Sequence, residues 1–80
     1  MMYELTRKEK IERIRLFLSS KTYTYIKDIY GTFLNGYILR IDKNEFKIMF
    51  NDDFIPLPIP IIIDDISEIT YSKRKKEIKK

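Results

Sequence analysis

Eighty residues leave room for one hydrophobic core and exclude a deep substrate cavity walled on all sides. Cys, His and Trp are absent, which excludes disulfide staples, a Cys/His zinc site and the usual general base at neutral pH. The net charge of +4 is unevenly spread: six Lys/Arg face three Asp/Glu in the first 21 residues, four face eight in residues 22–72, and six face one in the last eight. An acidic middle is thus flanked by two basic ends, a distribution that suggests a polyanionic partner met at the ends.

Thr6 followed by Glu9 is a capping-box pattern, and it predicts a helix over residues 7–18. Ile11, Ile14 and Leu18, with Phe17 beside them, form its apolar stripe, while Lys8, Glu12 and Arg15 fall on the other side. From Lys21 the period becomes strand-like, and Ile, Tyr and Phe carry the apolar content, as suits a pleated, half-buried surface. A first strand is expected over 23–29, a turn at Tyr30-Gly31, and a second strand over 32–41 that bends at Gly36. A polar turn over 42–45 precedes a third strand in which Phe46, Ile48 and Phe50 share one face.

After the turn Asn51-Asp52-Asp53 come prolines at 56, 58 and 60, whose missing N–H groups all point to one edge. This stretch reads either as an extended loop or as an edge segment protected against further pairing. Ile61-Ile62-Ile63 reads as a short buried strand, Asp64-Asp65 as a tight turn, and 66–71 as the last strand with Ile66 and Ile69 inward. Such punctuation every eight to twelve residues is the rhythm of a small barrel or sandwich. The expected fold is therefore mainly β: an N-terminal α-helix (about 6–18) followed by a five-stranded, strongly bent SH3-like barrel, one domain over 1–72, with a basic tail over 73–80.

The stretch Gly31-Thr32-Phe33-Leu34-Asn35-Gly36-Tyr37-Ile38-Leu39-Arg40-Ile41-Asp42 resembles the first motif of the Sm and LSm proteins, small barrels that form rings on RNA. The motif's turn glycine, strand glycine, apolar position and closing aspartate fall on Gly31, Gly36, Ile38 and Asp42. The resemblance implies an Sm-like barrel, RNA as partner, and a loop in which Asp42 and Asn44 or Phe46 stand near the RNA. It also implies ring assembly by pairing the fourth strand of one subunit with the fifth of the next. Where the family's second motif carries an Arg-Gly pair, this chain reads Ile63-Asp64-Asp65-Ile66, and two carboxylates repel phosphate.

Phosphate contacts are accordingly expected from the tail Lys73-Arg74-Lys75-Lys76 and from the helix, where Arg7, Lys8 and Arg15 are joined by Lys10 and Arg13. The other reading of the tail is a solubilising end. Tyr37 and Tyr71 are candidates to stack on unpaired bases, whereas Tyr23, Tyr25 and Tyr30 read as cross-strand and core packing. Asp52-Asp53 and Asp64-Asp65 read as turn residues in preference to a divalent-cation site or an acid/base pair. No activated nucleophile or phosphate-cradling glycine loop is present, so neither catalysis, a cofactor nor a small-molecule substrate is expected.

No apolar run approaches the roughly 20 residues that span a bilayer, and residues 1–4 lack a secretory core, so a cytoplasmic domain without a membrane partner is expected. The sequence predicts a non-catalytic nucleic-acid-binding protein, RNA ahead of DNA, with homo-oligomerisation as a further expectation. The alternative is a protein-interaction or oligomerisation module that docks a partner on a strand edge or on the Pro-Ile segment.

Overall fold

The computed structural model describes residues 5–73. Helix α1 (Arg7–Ser19) starts on the expected capping box: Glu9 N donates to Thr6 Oγ1 at 3.1 Å, and Thr6 N donates to Glu9 Oε1 at 2.8 Å. Two N–H groups that the first turn cannot pair are thereby satisfied. At the other end the Ser19 and Ser20 hydroxyls turn back on Leu16 O, at 3.1 and 2.7 Å. Lys21 then enters the left-handed region at φ +55. Its N–H reaches Leu18 O while Thr22 N–H reaches Phe17 O, the paired bonds of a Schellman stop.

Five strands follow: β1 (Thr24–Asp28), β2 (Phe33–Asp42), β3 (Lys47–Asp52), β4 (Ile59–Ile62) and β5 (Ile66–Tyr71), with a one-turn 3-10 helix, Ile63–Asp65, before the last. They form one antiparallel sheet in the order β4-β3-β2-β1-β5. The β1-to-β2 turn is held by Asp28, whose Oδ1 accepts from Tyr30 N and Thr32 N at 2.9 and 3.0 Å, and it closes on Gly31 at φ +91. Gly36 sits where β2 passes from β1 to β3, pairing with both Thr24 and Asp52. A Cβ there would lie 1.8 Å from Asn51 O, so no side chain fits. A register shift between Ile38 and Arg40 adds to the bend.

The core is almost entirely isoleucine: Ile14 of α1 is buried against Ile26, Ile38, Ile48, Ile61, Ile63, Ile66 and Ile69, with Phe50 the one aromatic among them. Helix α1 packs on β2, β5 and the 3-10 turn, so it covers the concave face of the bent sheet. β4 and β5 lie at opposite edges of the sheet, and among the described residues the strands do not close into the expected barrel. The reason is local. Closure needs donors on the outer side of β4, and Pro60 supplies none there.

The fourth strand also begins earlier than expected, at Ile59, and takes in Pro60. Asp64-Asp65 belong to the 3-10 turn rather than to a two-residue corner.

Candidate nucleic-acid interface

The cations of α1 are not equivalent. Arg7 grips Asp64 with two bonds, Nε to Oδ1 at 2.9 Å and Nη2 to Oδ2 at 2.6 Å, and its guanidinium lies 5.0 Å from the centre of the Phe46 ring. The hydrogen bond from Arg7 holds the Asp64 carboxyl below the usual carboxylate range. Partial burial opposes that shift, and the charges of Arg7 and Lys10 add to it. The carboxylate that would repel phosphate is therefore already compensated, and Arg7 is the group that compensates it. Arg13 Nη1 donates to Ile69 O at 2.7 Å, so it too serves the fold. Lys8 and Arg15 stay exposed along a shallow groove that Arg7, Ile11 and Glu12 complete.

Asp42 and Asn44 meet in the turn between β2 and β3. Asp42 Oδ1 accepts from Asn44 N at 3.1 Å and from Glu45 N at 3.3 Å, which is ordinary turn chemistry. Phe46 closes that turn at φ +51. Lys47, the register partner of Asp42, bonds Glu45 at 2.7 Å, and this hydrogen bond raises the Lys47 pKa. Asn44 is exposed.

The outer face of the sheet, opposite the core, carries an aromatic row. Strand alternation puts Tyr23, Tyr25, Phe33, Asn35 and Tyr37 on this face, because Thr24, Ile26, Gly36 and Ile38 between them are buried. The Tyr23 and Tyr37 rings are 5.4 Å apart and tilted by 47°, and those of Tyr25 and Phe33 are 6.2 Å apart and tilted by 34°. Burial and the nearby Glu68 raise the Tyr25 pKa, so its hydroxyl stays protonated at neutral pH. Tyr71 pairs in register with buried Thr24 and so belongs to the other face. The two tyrosines singled out from the sequence are not brought together. Tyr37 has Tyr23 for its neighbour instead; the parity of residues 23, 25, 33 and 37 signals the shared face, and the register of β1 against β2 makes the pair.

Ser72 ties the root of the basic tail to this row. Its N–H donates to Tyr23 O at 2.8 Å and its hydroxyl to Asn35 Oδ1 at 2.6 Å. Lys73 is exposed just beyond, while Arg74, Lys75 and Lys76 lie outside the described residues. Two carboxylates border the same end: Tyr23 hydroxyl bonds Asp53, and buried Asp52 accepts from Asn35 N at 3.1 Å and from Phe54 N at 2.8 Å. Asp52 thus closes the end of the β2 and β3 pairing.

Among the described residues there is no group of three or more metal-ligating side chains, and no helix is long and apolar enough to cross a membrane. No protein-family model matches the chain, and no curated protein or solved structure matches it either, so only its own geometry bears on what it does.

Proposed function

We propose that this chain is a small, non-catalytic, cytoplasmic nucleic-acid-binding domain that takes single-stranded RNA on the outer face of its sheet, with the basic tail on the phosphates. The observation that carries this reading is the anchoring of Ser72 to Tyr23 and Asn35, on the face that carries the Tyr23 and Tyr37 rings, immediately before exposed Lys73. Rings and cations side by side are what an unpaired strand needs, since bases stack on the first and phosphates exchange counterions for the second. An N-terminal helix, the strand order β4-β3-β2-β1-β5 and the two glycines of β2 and its preceding turn support kinship with SH3-like and Sm-like barrels, of which this would be an open relative.

Binding of labelled RNA and DNA oligonucleotides, followed by fluorescence anisotropy across a salt series, tests the reading. Replacing Lys73, Arg74, Lys75 and Lys76 together by Gln should reduce the slope of log affinity against log salt by about 3, at roughly 0.7 per phosphate contact on a single strand. Tyr37→Ala should weaken binding by about 1–3 kcal/mol. Affinity that ignores both the salt and the tail would dismiss it.

The second reading, a protein-interaction or self-association module, draws on the segment between β3 and β4. There Phe54 and Leu57 are 76% and 71% exposed, more apolar surface than a loop of this size needs to show. A defined oligomer or a captured partner that persists without nucleic acid, and is lost on Phe54→Ser with Leu57→Ser, would favour it.

A further inference from the structure

Among the described residues, an open sheet leaves two rows of backbone groups that no strand pairs, each a template for another strand. The β4 edge is closed by composition. Ile63 N–H points to Phe46 O on the β3 side, and since donors alternate, the outward positions are Ile62, Pro60 and, just before the strand, Pro58. Two of those three have no N–H to offer.

The β5 edge has no proline. Ser72 N–H points to β1, so by the same alternation the outward groups of β5 are the N–H and C=O of Ile69 and Tyr71. Of the two residues only Tyr71 is exposed, at 58%, whereas Ile69 is fully buried where α1 packs on β5. One of the outward groups is already taken: the outward carbonyl of Ile69 receives Arg13 Nη1 at 2.7 Å, in a partly buried bond between residues 56 positions apart. A side chain from the covering helix therefore fills the place where a neighbouring strand would donate.

We propose that Arg13 guards the β5 edge against a second copy of this chain, and that without it two copies pair through their β5 strands. The partner edge is β5 and not β4, because the prolines deny β4 the donors that the Ile69 and Tyr71 carbonyls require. An antiparallel pairing of β5 with itself about a two-fold axis satisfies both copies equally. This inference is independent of any nucleic-acid role.

Native mass of the full chain, measured by light scattering or sedimentation over a concentration series, reads the result. Arg13→Ala should double the native mass at concentrations where the wild type does not change. Adding Tyr71→Pro, which removes an outward N–H that no strand of the sheet uses, should restore the wild-type mass. An unchanged mass for folded Arg13→Ala overturns the proposal, and so does a doubled mass that Tyr71→Pro leaves in place. Should Arg13→Ala not fold, Arg13→Met keeps an unbranched stem without any donor and carries the same test. If neither folds, Arg13 is a structural prop, and the guard is refuted.

Discussion

The two basic ends of this chain look alike in the sequence and are used differently. At the helix end, Arg7 is spent on Asp64 and Phe46 and Arg13 on Ile69, so positive charge holds α1 over the sheet and offsets an acidic corner. At the tail end, it is the backbone N–H and hydroxyl of Ser72 that make the attachment, and Lys73 beyond them is exposed. A count of charges cannot tell these ends apart, because it does not say which cations already have a partner. Among the described residues, the distinction is that Arg7 and Arg13 are bonded within the fold while Lys73 is exposed.

The most forceful way to break the comparison is to unseat the helix. Ile14 is the one residue of α1 that is fully buried, and it joins the core from the concave side. Ile14→Ala should cost about 2–5 kcal/mol of unfolding free energy, measured by urea denaturation, since the cavity it leaves is lined by side chains fixed on strands. If the cost fell below about 1 kcal/mol, α1 would be an ornament on the sheet, and the structural role given to its cations would fail.

A gentler intervention loosens only the turn that carries Arg7. Thr6→Ala removes the acceptor for Glu9 N and should cost about 1 kcal/mol. The loss should appear as faster amide exchange in the first turn of α1, with the strands unaffected. Uniformly faster exchange across the sheet would mean that the helix start and the core do not unfold separately.

Local features of this fold were legible in the sequence, and long-range ones were not. The capping box, the stripe of Ile11, Ile14 and Leu18, and the bounds of β5 follow from spacing alone. The roles of Gly31 and Gly36 follow from the steric uniqueness of glycine, and the single-sided prolines followed from strand alternation. The open sheet was not legible, because the rhythm of turns gives the number of strands and not whether the two edge strands meet. Nor were the bonds of Arg7 to Asp64 and of Arg13 to Ile69 O, which join residues more than 50 positions apart and obey no period. The aromatic row lies between these cases. Each strand's parity was readable, but the neighbours of Tyr37 depended on the register of β1 against β2.

The pair of Arg7 and Asp64 gives the finest test, because it can be switched without changing the sequence. Hydrogen bonding from Arg7 lowers the Asp64 pKa in the folded chain below its unfolded value. The pair's contribution is therefore complete above the unfolded carboxylate pKa, near 4, and is lost as pH falls through the folded value. Both side chains are about half exposed, 55% for Arg7 and 50% for Asp64, so the effect is small and shrinks with salt.

Asp64→Asn should lower the thermal midpoint slightly at pH 7, with the gap to wild type narrowing below pH about 4. A gap that stayed constant down to pH 2 would mean that the carboxylate charge does not matter. The same substitution returns Arg7 to the solvent as an unpaired cation. If pairing with Asp64 is what keeps Arg7 from phosphate, Asp64→Asn should steepen the salt dependence of oligonucleotide binding by up to about 0.7, the contribution of one further phosphate contact. No steepening would show that Arg7 stands too far from the bound strand to take part, so that position as well as pairing separates the helix from the tail.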